Sequence, residues 1–125
     1  MILVDTSIWI DHLRTGDPEL VGLLQDGHVL AHPWVTGELA LGHLVRRSEI
    51  LGLLHNLPQA TVATDVEVLT LIEKRHLFGL GIGYVDAQLL AATLLTSDAR
   101  LWTRDERLAT IALRHGLASH QARDT

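Results

Sequence analysis

The sequence predicts an α/β fold, a small parallel sheet with helices on both faces. Two observations predict it. Short apolar runs suited to buried strands stand at residues 2–5, 28–32 and 100–103, and segments with helical apolar spacing lie between them. Alternation of strand and helix is the pattern of a parallel sheet. The first run, Met1-Ile2-Leu3-Val4, also leads directly into an acid and two hydroxyls, Asp5, Thr6 and Ser7. A strand that ends in a carboxylate puts charge at the rim of a sheet. In open α/β folds, ligands bind at the carboxyl ends of the strands.

The elements follow in order. Residues 7–14 carry Ile8, Trp9, Ile10 and Leu13 and read as the first helix. Asp17, Pro18 and Glu19 open a second that runs to about Gln25; the three suit the cap, the first helical position and the positive end of the dipole. Asp26-Gly27 ends it, and His28 to His32 form the second strand, closed by Pro33. From Trp34 to Arg47 the apolar positions Leu39, Leu41, Leu44 and Val45 predict one helix, and residues 48–55 a further short one before Pro58. Residues 60–63 read as a short edge strand. Thr64-Asp65-Val66-Glu67 matches a capping box and opens a helix that stops near Phe78-Gly79. The run Gly79-Leu80-Gly81-Ile82-Gly83 is a loop, Tyr84 to Thr96 a helix rich in Leu and Ala, and Arg100 to Thr103 the third strand. Asp105 to His115 is the last helix, ended by Gly116. One domain over residues 1–117 accounts for these elements; the tail, 118–125, has no clear pattern and is expected to be poorly ordered.

Composition narrows the function. At 125 residues, with 47% hydrophobic and 20% charged side chains, the chain suits one soluble globular domain with a real core. It has no cysteine, which excludes disulfides, thiolate zinc sites and Cys nucleophiles and fits a reducing cytoplasm. The start lacks the features of a signal peptide, and no apolar stretch reaches membrane-spanning length. The net charge is −5. A protein that grips nucleic acid through a broad electrostatic surface is basic, so a nucleic-acid role here needs a local basic patch, a metal ion or a second subunit. With three Trp, one Tyr and one Phe, a base-stacking platform is not expected, and Trp9, Trp34 and Trp102 read as core or interface residues. His28 and His32 are four apart but in a strand, where that spacing does not pair them as zinc ligands. Gly79, Gly81 and Gly83 match neither G-x-G-x-x-G nor a P-loop.

Four acids stand at similar junctions. Asp5 follows the first strand, Glu38 is placed in the first turn of the helix after the second, Asp86 in the first turn after the glycine loop, and Asp105 after the third strand. In a parallel sheet all four converge on one edge. Convergence has a cost, since two carboxylates about 4 Å apart repel by about 4 kcal/mol at an effective dielectric near 20. Raised pKa values or a cation relieve it, and magnesium and manganese prefer such hard oxygen ligands. Each acid also has a plainer reading as a helix-terminal residue. Asp105 lies in Thr103-Arg104-Asp105-Glu106, where Thr103 and Glu106 form a second candidate capping box. Asp98, before the third strand, is a further nearby acid.

The sequence resembles PIN-domain ribonucleases, and within them the VapC toxins of toxin–antitoxin pairs. The resemblance rests on Met1-Ile-Leu-Val-Asp-Thr-Ser-Ile-Trp-Ile-Asp11, Glu38-Leu-Ala40, Gly81-Ile-Gly-Tyr-Val-Asp-Ala-Gln-Leu-Leu90 and Leu101-Trp-Thr-Arg-Asp-Glu-Arg-Leu108. It implies a PIN-like fold and a Mg²⁺- or Mn²⁺-dependent endoribonuclease whose acid cluster is Asp5, Glu38, Asp86 and Asp105. Asp5 and Asp86 are the expected direct ligands; Glu38 and Asp105 serve a second ion or hold waters. Thr6, Ser7 and Thr103 match supporting hydroxyl positions. Arg104 and Arg107, flanking Asp105, are the candidates for RNA contact. The resemblance also implies a homodimer and a VapB-like antitoxin. Two rival readings remain at this point. One is a catalytically silent PIN module, which the four acids oppose. The other is a phosphatase of dehalogenase type, opposed by Ser7, since that start expects a second Asp two residues after the first.

Overall fold

The structure, a computed structural model of the chain, describes residues 1–119. Its centre is a parallel sheet of three short strands, β1 (Ile2–Val4), β2 (Val29–Leu30) and β3 (Arg100–Trp102), in the order β2-β1-β3. Ile2 pairs with Val29 on one side and Arg100 on the other, and Leu3 with Leu30 and Leu101. The helices are α1 (Thr6–Thr15), α2 (Pro18–Gln25), α3 (Pro33–Ala40), α4 (Arg47–Asn56), α5 (Asp65–Lys74), α6 (Tyr84–Leu95) and α7 (Glu106–Arg114). The crossovers from β1 to β2 and from β2 to β3 run in opposite senses across the sheet, so right-handed connections put helices on both faces. α3 packs on α1 and α4, α6 on α5 and β3, and α7 on β3. The core gathers around the central strand: Leu3, Val4, Ile8, Trp9, Leu20, Leu54, Leu89 and Leu108 are fully buried.

Local chemistry sets the helix starts. Asp17 caps α2 by accepting from the backbone N–H of Glu19 (2.9 Å) and Leu20 (3.1 Å), with Pro18 behind it. Thr64 and Glu67 form the expected capping box of α5. At α7 the cap is Asp105 itself, whose Oδ1 accepts from Leu108 N at 3.0 Å. The alternative box centred on Thr103 and Glu106 is not the one formed, because Thr103 is engaged with the site described below.

Three expectations need correction. The predicted helix from Trp34 to Arg47 stops at Ala40, and a new helix starts at Arg47. Arg46 sits in the left-handed region (φ 56°), and the Arg47 guanidinium turns back to the freed carbonyls of Ala40 (2.6 Å) and Gly42 (3.3 Å). Leu41 and Val45, two of the apolar positions from which that helix was predicted, are 90% and 86% exposed. The edge strand expected at 60–63 reduces to one parallel bridge, Ala31 to Gln59. With β2 two residues long and Pro33 already helical, there is no ladder left for it to join, and the backbone N–H of Thr61 goes to the Thr96 hydroxyl instead. At the opposite edge Ala118, assigned to the tail, forms a parallel bridge with Leu101. The rest of the tail, residues 120–125, lies outside the described residues.

His32 joins β2 to α3. It is fully buried and caps α3 with Nδ1, which accepts from Trp34 N at 3.0 Å, while Nε2 meets no hydrogen-bond partner among the described residues. Burial lowers its pKa from the ordinary imidazole value near 6.5. The unfolded chain therefore binds the proton more readily than the folded one. The neutral ring's contribution is complete above about pH 6.5 and is lost as pH falls below it, by at most about 1.4 kcal/mol per pH unit. His32→Asn keeps a capping acceptor and removes the titration. Urea unfolding between pH 7 and pH 5 should show a shallower loss of stability for this variant than for the wild type.

Candidate active site

The parallel sheet brings the carboxyl ends of β1 and β3 side by side, and the ladder continues one residue further through Asp5 N to Trp102 O at 3.0 Å. This sets Asp5 beside Thr103. Asp5 is the N-cap of α1 and only 7% exposed. Its Oδ1 accepts from the backbone N–H of Thr6 (2.7 Å); its Oδ2 accepts from the hydroxyls of Ser7 (3.0 Å) and Thr103 (2.6 Å). Both hydroxyls are themselves held by backbone donors, Ser7 Oγ by Arg104 N (3.1 Å) and Thr103 Oγ1 by Asp105 N (3.1 Å). Each hydroxyl thus donates to the carboxylate and accepts from the start of the next segment. The hydroxyl of Thr6 points the other way and donates to Glu38 Oε1 at 2.6 Å. All three predicted hydroxyls therefore orient acids.

Glu38 is the sixth residue of α3, not a first-turn residue as expected, because Pro33 starts the helix directly after the strand. Asp86 sits in the first turn of α6 and accepts from Gly83 N at 3.0 Å, closing the helix start without a capping side chain at Gly83. The half-buried Asp86 carboxyl has its pKa raised, first by desolvation and then by the negative charges of Asp5, Asp105 and Glu38, against the lowering bond from Gly83. This is the clearest sign that the four acids share one field: the charges acting on Asp86 are those of the other three. Among the described residues no three carboxylates or imidazoles stand at direct metal-ligand spacing. The donor set is nonetheless all oxygen and all acidic, as a hard divalent ion that keeps part of its water shell requires.

The other named residues sort clearly. Asp98 lies at the opposite end of the sheet, where its carbonyl accepts from the Met1 amino group, so it is not part of the cluster. Arg104 is engaged: its guanidinium pairs with Asp11 of α1 (2.5 Å) and Asp17 at the start of α2 (2.7 Å). Arg107 reaches the glycine loop, donating to Gly81 O at 3.4 Å and covering the space a Cβ on Gly81 would fill. Gly81 has φ +81°, which alone disfavours any side chain there by about 1–2 kcal/mol. Trp34, expected as a core or interface residue, is 38% exposed and in ring contact with Tyr84 (centroids 5.7 Å apart); it stands four residues before Glu38 on α3.

An acid cluster at the carboxyl edge of a small parallel α/β sheet defines the class, a PIN-like fold. No protein-family model matches the chain. It is 52% identical over 118 residues to Ribonuclease VapC32 of Mycobacterium tuberculosis, in both strain CDC 1551 / Oshkosh and strain ATCC 25618 / H37Rv, an alignment covering 94% of this chain and 95% of each relative. The chain belongs to the VapC family of PIN-domain ribonucleases.

Thr103 is the residue through which β3 and α7 hold Asp5. A hydrogen bond to a charged group contributes about 1.5–3 kcal/mol, so Thr103→Val should destabilise the fold by about that much in urea unfolding, whereas Thr103→Ser should restore most of it.

Proposed function

We propose that this protein is an endoribonuclease toxin that uses Mg²⁺ or Mn²⁺ at its four-acid cluster and is neutralised by a VapB-like antitoxin. The observation that carries this reading is the gathering of four acids at the carboxyl edge of the sheet, three of them held in place by Thr6, Thr103 and the Gly83 amide, with the direction of the Asp86 pKa in keeping. Such an arrangement is costly unless a cation completes it. Asp5 and Asp86 would hold the ion, with Glu38 and Asp105 directly beside it or acting through water. Bound there, the ion polarises a phosphodiester and lowers the pKa of a water molecule. The chain's own part is orientation. Ser7 and Thr103 fix Asp5, Thr6 fixes Glu38, and the Gly83 amide fixes Asp86. The residues thus wait in place, and the reaction need not pay for ordering them.

The antitoxin reading is supported by a groove beside the site. About 580 Å³ in volume, it runs past Glu38 and is lined by Ile10, Leu13, Leu39, Leu44, Val45 and Ile50. Its apolar walls suit an amphipathic segment, and Glu38 in its lining suits a cationic side chain. A second apolar face, Val66 and Leu69 of α5 with Leu94 and Leu95 of α6, is exposed and suits a homodimer. No helix among the described residues is long and apolar enough to cross a membrane; we place the activity in the cytoplasm, with the RNA and the antitoxin.

Asp5→Asn and Asp86→Asn should each reduce RNA cleavage by about 10²-fold or more, measured with purified protein and Mn²⁺. If Asp5→Asn cleaves RNA as fast as the wild type, the site assignment fails. Without metal, Asp86→Asn should melt at a higher temperature than the wild type, because it removes the charge that burial and the other acids oppose. Adding Mn²⁺ should raise the wild-type melting temperature and leave that of Asp86→Asn nearly unchanged. Finally, Leu44→Glu combined with Val45→Glu, both in the groove wall, should keep RNA cleavage within a few-fold of wild type yet escape neutralisation when the antitoxin is co-expressed.

A further inference from the structure

The ribonuclease reading leaves a question of affinity. The net charge is −5, the best-placed arginine, Arg104, is committed to Asp11 and Asp17, and Arg107 is turned onto the glycine loop. Broad phosphate neutralisation, the usual source of nucleic-acid affinity, is not built into this surface. Something else must hold the strand.

The aromatic residues supply it. Trp9 and Trp102 are buried in the core, whereas Trp34 and Tyr84 are each 38% exposed and lie against one another, centroids 5.7 Å apart and planes tilted by 58°. Trp34 is one helical turn before Glu38 on α3, and residues four apart share a helix face. Tyr84 is the first residue of α6, two before Asp86. The pair therefore bridges the two helices that carry Glu38 and Asp86. It is also rigid. The Tyr84 hydroxyl donates to Asp65 Oδ1 at 2.6 Å and accepts from Gln88 Nε2 at 3.3 Å, and the backbone of Trp34 is held by His32.

A nucleobase is separated from its phosphate by one sugar. A strand whose phosphodiester meets the acids would carry its neighbouring base toward the ends of α3 and α6 that bear this pair. We infer that Trp34 and Tyr84 form a stacking site for one unpaired nucleobase beside the cleaved phosphodiester. A paired base, already stacked in its helix, has no free face to offer. Stacking is tolerant of base identity and is commonly worth about tenfold or more in affinity per base. Trp34 lies outside the buried core, and scarcity of aromatics argues against a broad platform, whereas one site needs only two.

The inference rests on the ribonuclease reading, and the experiment separates the two. A single-stranded RNA cleaved at one mapped position is made with an abasic nucleotide at each position flanking the cut in turn. For the wild type, one abasic position should raise KM about tenfold or more with kcat changed little. Trp34→Leu should raise KM for the intact RNA by a similar factor and be insensitive to that same abasic position, and Trp34→Phe should recover most of the loss. Tyr84→Leu provides the same comparison from α6 should Trp34→Leu fail to fold. The stacking site is overturned if no abasic position changes the wild-type KM more than twofold, or if the variants remain as sensitive to the abasic position as the wild type. Failure to cleave any RNA would remove the ribonuclease reading, and this inference with it.

Discussion

Everything at the sheet edge depends on how the Asp5 carboxylate is held. Three donors converge on it, the Thr6 amide and the hydroxyls of Ser7 and Thr103, and two of these are relays rather than endpoints. Ser7 receives the amide of Arg104, and Thr103 receives that of Asp105. One buried carboxylate thereby fixes the start of α1, the end of β3 and the approach to α7. The side chain that caps α1 is also the one proposed for the chemistry. Structural and functional demands fall on the same oxygen atoms.

This arrangement limits how the cluster is stabilised. The folded chain carries four acids close enough for three of them to shift the fourth. The tension is contained by distributing roles. Asp105 and Asp86 satisfy helix starts, Glu38 is tethered by Thr6, and Asp5 is tethered by three donors. Each acid is thus compensated locally by hydrogen bonds, and the mutual repulsion is left uncompensated. Arg104, the nearest positive side chain in sequence, is drawn off to Asp11 and Asp17 on the far side of α1 and α2. There it braces two helices instead of neutralising the site.

The strands were legible because each is a short apolar run ending in a recognisable junction, and the helices where a cap announced them, as at Asp17-Pro18 and Thr64 to Glu67. The length of α3 was not. Leu41, Leu44 and Val45 keep helical spacing with Leu39, but apolar periodicity reports where side chains could be buried, and here Leu41 and Val45 face outward on a turn. The four acids could be found from their places after strands and at helix starts. Their wiring could not, because it depends on side-chain pairs 98 residues apart, as between Asp5 and Thr103. The exposure of Trp34 was not legible for a related reason: a tryptophan in a chain with few aromatics reads as core or interface, and only the packing of α3 against its neighbours leaves this residue 38% exposed.

The same long separation has a consequence for how the protein is made. β1 is among the first segments to leave the ribosome, and β3, which supplies Thr103 and leads to Asp105, is among the last. The central strand must wait for its second neighbour while nearly the whole chain is synthesised, and at roughly 5–20 residues per second this takes several seconds. Until then Asp5 lacks one hydroxyl and one adjacent acid. A nascent chain, or one cut short before residue 100, carries the first acids without the edge that organises them. A chain that has not yet added β3 is therefore incomplete at this edge, whatever its first strand has already placed.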